Sequence, residues 1–400
     1  MMSRKETTRI VVAGHICLDI LVDIGNLSQD ALVKGLEPGN LVKIGGAKVT
    51  TGGTVSNTGI ALHRLGMDVR LVARVGDDAF GEAVANVVEG VGRGLGRDLV
   101  RVAGEPTSYT LVFNPLGRDR SFLHCPGVND TFCADDVDFA IVGQAGLLHL
   151  GYPPLMRNMW IDKGGELAKL FSRAKEHGMT TSLDMAWPDP ASEAGQANWG
   201  DILASVLPVT DVFLPSIDEA LFMVDRRTYE RLASGEEKIN ADMLDTLSQR
   251  LIDQGPAVVG LKLGRDGLYV RTADNAQRFA RMGASAPADV ANWMARRMIS
   301  PCFEIKVSGT TGAGDSTIAG FLAGLVKGMP IEFTMNAACG TGACNCENPL
   351  SAGMVPHWDA LVKRVPGWKR QKVSASLKGW AIDPSTGLYV SPEDRQIRRR

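Results

Sequence analysis

Short apolar runs that alternate with amphipathic stretches predict strands and helices in turn along most of this 400-residue chain. Residues 10–16 are almost continuously apolar, which is typical of a strand buried on both faces. Residues 54–66 and 79–88 carry apolar side chains near helical spacing. Further strand patterns occur at 69–75, 147–150, 181–183, 212–214 and 258–261. The alternation predicts an α/β fold, with a mostly parallel sheet and helices on both of its faces.

Two segments depart from this alternation. Residues 41–51 and 107–124 contain β-type residues without a helix, and the NPLG sequence at 114–117 is a turn signal. We expect these segments to form a small antiparallel flap apart from the main sheet. The connection 271–301 is longer than most loops, and we expect a short helix within it.

A glycine-rich loop precedes a clear helical pattern. Residues 303–307 alternate as in a strand, and apolar residues at 318–325 fall on one face of a helix. We expect the loop 309–314 to lie between that strand and the helix N-terminus, where free N–H groups and the helix dipole bind anions. The sequence GTTGAGDS at 309–316 nearly matches the phosphate-loop pattern G-x-x-x-x-G-K-[ST], except that Asp315 replaces the lysine.

The negative charge of Asp315 allows two interpretations. A carboxylate beside a bound phosphate can take a proton from an attacking hydroxyl group. Phosphoryl transfer asks little more of a protein than positioning, charge stabilisation and orientation of the nucleophile. Alternatively, Asp315 is the N-cap of the helix, a common role for aspartate. The loop by itself does not decide between them.

The overall composition excludes some partners. The chain is 44% hydrophobic and 22% charged with a net charge of −2, which gives no general attraction to nucleic acid or a membrane surface. Its seven cysteines are scattered and form no C-x-x-C pair, so we expect free thiols in a reducing compartment. The apolar run near the N-terminus is too short for a signal peptide or a membrane span. We therefore predict a cytoplasmic protein.

Several ordered stretches resemble the ribokinase-like (PfkB-type) carbohydrate kinase family, from about residue 9 to about residue 356. Residues 309–315 are similar to the signature D-T-x-G-A-G-D except at the first position. The other similar stretches are GHICLD at 14–19, the G-G-x-x-x-N pattern at 52–57, VGDDAFG at 75–81, LPSIDEA at 214–220 and LKLGRDG at 261–267. A series of matches in order is more specific than a single glycine loop.

The resemblance implies a three-layer α/β sandwich with a small β-lid. It places a kinase domain at 8–365, with lid strands near 41–51 and 107–124. Residues 366–400 then form a polar, basic C-terminal extension, which we interpret as a surface extension or a frayed tail. The implied activity is ATP-dependent phosphorylation of a hydroxyl group on a small sugar or sugar acid. ATP and Mg²⁺ are the implied cofactors, and a homodimer formed through the lid is the implied assembly.

The resemblance also implies site residues. Asp315 corresponds to the catalytic base, beside an anion hole formed by Gly312, Ala313 and Gly314. The substrate-binding residues are Asp19, Gly52, Gly53 and Asn57, and Asn129 could reach a sugar from the lid. The nucleotide-binding residues are Ser216, Lys262, Gly264, Gly267 and Thr311. Glu219 corresponds to a residue near Mg²⁺, and we expect its action on the ion to be indirect.

Three positions depart from the family pattern. Gly309 replaces an acidic residue that in many relatives helps to hold a monovalent cation, so the use of such a cation is doubtful. Ser216 replaces an asparagine, which weakens the inference of a Mg²⁺ motif. Lys262 replaces a threonine and alters the nucleotide pocket. Thr54, in turn, stands where members that act on sugar phosphates usually have a basic residue, which favours an unphosphorylated substrate.

Other functions remain open. A nucleoside kinase of the same family, or a sugar-binding member without catalysis, fits most of the motifs. A degenerate P-loop NTPase would need the missing lysine, and a dinucleotide-dependent dehydrogenase would need a G-x-G-x-x-G that residues 14–19 do not supply.

For four further side chains, a role in the site competes with a purely structural role. Asp184 is either a carboxylate on the Mg²⁺ side or a helix cap. We expect a structural hydrogen bond for His124, a core or backbone contact for His15, and simple packing for Trp187.

Overall fold

The computed structural model describes residues 8–35, 37–113, 121–348 and 353–397. The first strands are β1 (Ile10–Gly14), β2 (Cys17–Val22), β3 (Ala47–Gly52), β4 (Val69–Val72), β5 (Arg74–Gly76), β6 (Val100–Val102), β7 (Tyr109–Phe113) and β8 (Ser121–Cys125). The others are β9 (Leu147–Gly151), β10 (Thr180–Leu183), β11 (Val212–Phe213), β12 (Val258–Lys262), β13 (Leu268–Thr272), β14 (Arg297–Ser300), β15 (Ala381–Ile382) and β16 (Tyr389–Val390).

The helices connect these strands and cover the sheet. The first are α1 (Gln29–Gly35), α2 (Thr54–Arg64), α3 (Ala79–Val91), α4 (Phe139–Val142), α5 (Gly165–Glu176), α6 (Glu193–Gln196), α7 (Trp199–Val206) and α8 (Ile217–Val224). The others are α9 (Arg226–Ser234), α10 (Ala241–Ile252), α11 (Ala276–Ala280), α12 (Val290–Trp293), α13 (Ala313–Val326), α14 (Ile331–Cys346), α15 (Trp358–Arg364) and α16 (Pro392–Ile397). In the described part of the chain, no helix is both long and apolar enough to cross a membrane.

Ten strands form the main sheet, in the order β15-β16-β14-β13-β12-β11-β10-β9-β1-β4. The strands from β4 to β12 are parallel, and those beyond β12 are antiparallel. Every residue of β1 is buried, as the apolar pattern predicts. Helices α2, α13 and α14 pack against one another. The predicted α/β sandwich is therefore confirmed, and its parallel strands direct their carboxyl ends to one edge.

The predicted lid is a separate four-stranded sheet in the order β3-β2-β7-β8. Strand β2 pairs parallel to β7, so the expectation of a purely antiparallel flap is wrong. The sequence pattern also missed β2 itself, because its apolar residues continue directly from those of β1. The turn signal at 114–117 lies outside the described residues. The connection 271–301 contains α11 and α12, as expected, and also the strand β14.

The predicted strand at 303–307 is wrong. Within it only Phe303 makes a β-bridge, to Arg370, and it is not part of a regular strand. Phe303, Ile305 and Val307 instead line a large cavity. Every second side chain of this extended segment therefore faces the cavity. An extended segment has the same two-residue side-chain period as a strand, so the sequence pattern is the same.

The expectation of a frayed tail is wrong for residues 366–397. Strands β15 and β16 extend the main sheet beyond β14. Asp394 is completely buried, and its carboxylate lies 3.0 Å from Nε of the buried Arg296, whose other end contacts Glu332 at 2.8 Å. Charges so deeply buried persist only when they are paired, so this network ties the extension to the domain.

Candidate active site

A cavity of about 710 Å³ lies at the carboxyl-terminal edge of the parallel strands, where α/β proteins bind ligands. Four residues at or just after the ends of successive strands line it: Tyr152 after β9, Asp184 after β10, Ser216 after β11 and Lys262 in β12. The glycine loop at 309–314 forms another part of the wall. The fold therefore gathers polar groups that lie far apart in the sequence.

The glycine loop enters α13 as the sequence predicts. Gly312 occupies the N-cap position with a φ angle of 72°, a left-handed conformation that favours glycine. Ala313, Gly314 and Asp315 follow in the first turn, where backbone N–H groups lack partners within the helix. The N-cap interpretation of Asp315 is therefore wrong, because Gly312 holds that position.

Asp315 is only 3% exposed, and three side chains donate hydrogen bonds to its carboxylate. Tyr152 Oη donates at 2.8 Å, Asn57 Nδ2 at 3.1 Å and Thr58 Oγ1 at 3.3 Å. Burial, and then the charge of Asp315, raise the pKa of Tyr152 well above its usual value, so the phenol keeps its proton. These donors hold the carboxylate in one orientation.

The predicted lid residues surround the start of α2. Asp19 lies in β2 opposite β3, and a Cβ atom on Gly52 would come within 2.4 Å of its Oδ2. Gly53 has a φ angle of 85°, and a Cβ atom there would lie 2.4 Å from His15 Nδ1. The two glycines are thus required for close approach. Asn57 follows Gly53 by about one helical turn, and it links this lid region to Asp315.

A cluster of His15, Cys17 and His124 lies beside Asp19. The Cys17 thiol donates to Asp19 Oδ1 at 3.3 Å, and the Nε2 atoms of His15 and His124 are 3.4 Å apart. The structural bond expected for His124 exists, because its Nδ1 lies 3.0 Å from Thr110 Oγ1. His15, however, faces His124 and the ring of Tyr152 in addition to the backbone of Gly53.

Asn129 has a different position from the other predicted substrate residues. It is completely buried, its Nδ2 donates to the carbonyl group of Ile16 at 2.9 Å, and its Oδ1 accepts from the N–H of Ile16 at 3.4 Å. Both ends of the amide thus hold the connection between β1 and β2. We assign Asn129 this supporting role and leave it out of the proposed substrate contacts.

Lys262 brings a positive charge to the glycine loop. Its ammonium group contacts Asp184 and lies 4.0 Å from Glu219. Its side chain also lies 3.5–3.9 Å from the place where a Cβ atom on Gly314 would be. Burial lowers the pKa of Lys262, but the carboxylates of Asp184, Glu219 and Asp315 raise it by more, so the amine stays charged. Burial raises the pKa of Asp184, whereas the positive charge of Lys262 acts to lower that pKa.

Ser216 and Glu219 form a capping box at the start of α8. The Ser216 N–H donates to Glu219 Oε2 at 2.6 Å, and the Glu219 N–H donates to Ser216 Oγ at 3.1 Å. Both residues line the cavity. Serine thus replaces the asparagine of the family pattern without loss of the helix start, and it holds the Glu219 carboxylate at the cavity wall.

The nucleotide-binding predictions fall largely on this cavity. Gly264 and Gly267 line it with left-handed φ angles of 58° and 99°. Thr310 also lines it, whereas the carbonyl group of Thr311 accepts a hydrogen bond from Asn345 Nδ2 at 2.8 Å.

Three cavity residues escaped prediction as site residues. Tyr152 and Trp187 follow strands β9 and β10, and their position after predicted strands was a usable signal. Trp187 packs edge-to-face on Phe222, as its assignment to packing expects, and it is also 46% exposed and lines the cavity. Gln371 belongs to the C-terminal extension and is held by its N–H to the carbonyl group of Cys302 at 2.8 Å. No local pattern marks Gln371.

Comparison with known proteins identifies the family of this chain. Residues 9–358 match the model of the pfkB family carbohydrate kinases. An uncharacterised sugar kinase from Archaeoglobus fulgidus is 27% identical over 68% of this chain and 89% of its own. An ATP-dependent ribose-1-phosphate kinase from Halopiger xanaduensis is 24% identical over 84% and 90% of the two chains.

The solved structures agree as well. A ribokinase from Arabidopsis thaliana, complexed with ribose and ATP, superposes with a TM-score of 0.67 at 19% identity, over 90% of this chain and 99% of that one. This likeness shows the shared fold, and the family match covers most of the chain. The protein therefore belongs to the pfkB family of carbohydrate kinases and has a ribokinase-like fold.

Proposed function

We propose that the protein transfers the terminal phosphoryl group of ATP to a hydroxyl group of a small neutral sugar, with Asp315 as the general base. One observation carries the proposal. The Asp315 carboxylate follows the glycine loop directly and accepts a hydrogen bond from Asn57. Helix α2, which carries Asn57, begins just after the lid residue Gly53, and Gly53 lies against His15. A sugar held by the lid and a phosphate held by the loop would therefore meet at Asp315.

In this reaction the sugar hydroxyl group gives its proton to the Asp315 carboxylate as its oxygen attacks the terminal phosphorus of ATP. A new oxygen–phosphorus bond forms, the bond to the bridging oxygen breaks, and ADP leaves. The N–H group of Gly314, at the start of α13, would bind the transferring oxygens, and that of Ala313 would join it on leaving the Thr310 carbonyl group, to which it donates at 3.1 Å. Tyr152 and Asn57 hold the carboxylate in one orientation throughout.

Lys262 supplies the positive charge that the glycine loop lacks. In the phosphate-loop pattern the cation belongs to the loop itself, whereas here Asp315 occupies that position. The Lys262 side chain reaches the loop from β12 and lies beside Gly314. Because phosphoryl transfer builds up negative charge on the equatorial oxygens, a buried ammonium group at this place lowers the barrier. We therefore assign Lys262 to the phosphates of ATP.

Mg²⁺ fits the same end of the cavity. Asp184 and Glu219 offer carboxylate oxygens, the ligands that Mg²⁺ prefers, and both line the cavity. One oxygen of Glu219 is already bonded to the Ser216 N–H, which favours a contact with the ion through water. When bound, Mg²⁺ would neutralise phosphate charge. Lys262 and the ion would then share the two carboxylates.

The lid pocket favours an uncharged substrate. The described hydrogen-bond partners of Asp19 and Asp315 are uncharged, so both carboxylates would repel an acid or a phosphate ester. Burial lowers the pKa values of His15 and His124, so both rings are neutral at physiological pH. Neutral polyhydroxyl compounds satisfy such groups with hydrogen bonds alone.

A substrate panel tests the proposal. ADP release would be measured with Mg-ATP and ribose, fructose, gluconate, ribose 1-phosphate or adenosine. We expect one of the neutral sugars to give the highest kcat/KM. Asp19→Ala should then raise the KM for that sugar at least about tenfold, from the loss of a hydrogen bond to a charged group, with the KM for ATP nearly unchanged.

Each other outcome has a definite meaning. Highest activity with gluconate or ribose 1-phosphate would refute the neutral substrate, and highest activity with adenosine would establish the nucleoside kinase instead. Sugar binding by calorimetry without any ADP release would show a family member that has lost catalysis.

A further inference from the structure

We propose that His15, Cys17 and His124 form a binding site for a soft divalent metal ion of the Zn²⁺ class at the lid end of the active site. One ligand atom from each residue lies within 4.8 Å of the other two. Imidazole nitrogen and thiolate sulfur are the ligands that select Zn²⁺ over Mg²⁺. This site is separate from the Asp184 and Glu219 carboxylates, which suit hard cations.

The distance between the two imidazoles matches a shared ion. Zn–N bonds of about 2.0–2.1 Å at a tetrahedral angle place two ligand nitrogens about 3.4 Å apart. The Nε2 atoms of His15 and His124 are 3.4 Å apart. A hydrogen bond between two nitrogens would normally be shorter, about 2.9–3.0 Å for an N–H donor. The pair is thus spaced for two lone pairs that point at one ion.

Cys17 completes three sides of the site. With a Zn–S bond of about 2.3 Å, the sulfur would lie about 3.5–3.6 Å from each nitrogen, so a small side-chain rotation brings it from the observed spacing into place. Cys17 and Asp19 are two residues apart in β2 and share a face of the strand, with the thiol 3.3 Å from the carboxylate. Asp19 lies next to the sulfur but is not one of the three clustered ligands.

The surroundings orient the two histidines for metal binding. His124 Nδ1 bonds to Thr110 Oγ1 at 3.0 Å, and a partner on Nδ1 directs the lone pair of Nε2 toward the site. His15 Nδ1 has no hydrogen-bond partner among the described residues, and His15 Nε2 faces His124 Nε2 at 3.4 Å. Both rings can therefore present Nε2 as a ligand.

Metal binding would block the sugar site. This consequence rests on the proposed function, because Asp19 and His15 border the pocket assigned to the sugar. An ion held by Cys17 and both histidines would occupy the space beside Asp19 and remove the Cys17 thiol that now donates to Asp19 Oδ1. Zn²⁺ would thus inhibit the kinase by competing with the sugar at the lid, and it would not compete with ATP.

The test uses the metal alone and needs no substrate. Full-length protein would be freed of metal with a chelator and titrated with Co²⁺ and Zn²⁺ by absorption spectroscopy and calorimetry. We expect one tight ion per chain, with the intense visible bands of tetrahedral Co²⁺ and a thiolate charge-transfer band. His124→Asn should weaken metal binding at least about tenfold. Removal of a residue that only supports a metal ligand already weakens binding by about that factor. Cys17→Ser should remove the charge-transfer band.

Two matched variants serve as controls. His357→Asn changes a largely exposed histidine, and Cys133→Ser changes a thiol that contacts Arg74 and does not belong to the lid cluster. Both should bind the metal like the wild type. His124 is exposed, so its variant should fold even if the buried Cys17→Ser variant does not.

Absence of binding, or equal binding by wild type and His124→Asn, would overturn the site. Loss of the charge-transfer band in Cys133→Ser would overturn it too, because the thiolate ligand would then lie elsewhere. A sugar panel without activity would leave this result untouched, so failure of the metal site and failure of the proposed function are distinguishable.

Discussion

Replacing Asp315 by asparagine removes the proposed base while it keeps the size of the side chain. The amide oxygen can still accept from Tyr152, which now donates at 2.8 Å. The same oxygen accepts from Asn57, so the amide NH₂ group would take the Oδ1 position and face Thr58 Oγ1, and it cannot take a proton from a hydroxyl group. The substitution therefore separates the chemistry from the packing of this site.

The expected loss follows from the role of the base. General base catalysis contributes roughly 10²–10⁴-fold, which at about 1.36 kcal/mol for each factor of ten raises the barrier by about 3–5 kcal/mol. A donor left without its acceptor costs about 1–3 kcal/mol of folding free energy, within the roughly 5–15 kcal/mol available to a typical domain. Asp315→Asn should therefore fold and still bind Mg-ATP.

The assay is kcat from ADP release at saturating Mg-ATP and the best sugar of the panel, with Mg-ATP affinity from calorimetry and folding from a thermal melt. Asp289→Asn is the matched control. Asp289 is a true N-cap, which accepts from the Asn292 N–H at 3.1 Å, and asparagine caps a helix equally well. Asp315→Asn with more than about a tenth of wild-type turnover would refute general base catalysis by Asp315.

Four further results are expected. Lys262→Met should lower kcat at least about tenfold and weaken ATP binding, because it removes the cation beside Gly314, while Lys262→Arg should recover part of the loss. Trp187→Ala should raise the KM for ATP and leave the KM for the sugar unchanged, since the ring lines the nucleotide cavity. KCl in place of choline chloride at constant ionic strength should change activity little, because Gly309 has no side chain to hold the ion. Replacing the exposed Phe122 and Leu123 of the lid together by serine should convert a dimer to a monomer in light scattering.

Each of these expectations has a result that contradicts it. Equal turnover for Lys262→Met and wild type would show that Lys262 only forms an ion pair with Asp184 and does not act on the phosphates of ATP. A raised sugar KM in Trp187→Ala would place the ring in the sugar pocket. Steep, saturable activation by K⁺ would show that backbone carbonyl groups hold the ion without an acidic side chain. A wild-type monomer would refute the lid dimer directly, with Ile382→Ser, an exposed apolar residue of β15, as the control for the double variant.

The sequence by itself determined the features that depend on neighbours along the chain. Strand periods, the helix after Gly53 and the helix after the glycine loop are all local, because side-chain period and cap geometry are set within a few residues. The same local logic failed at 303–307, where an extended segment beside a cavity has the period of a strand. It also missed β2, which follows β1 almost without a break.

Only the tertiary structure decided which of these residues meet. The Asn57 amide bonds to Asp315 across 258 residues of sequence, and Lys262 reaches Asp184 across 78. Gln371 lines the cavity because its neighbour Arg370 makes a β-bridge to Phe303 and its own N–H donates to the carbonyl group of Cys302. Such contacts depend on the strand order, which places the carboxyl ends of distant strands side by side. No period or spacing within the chain contains that information, so the chemistry of the site had to come from the fold.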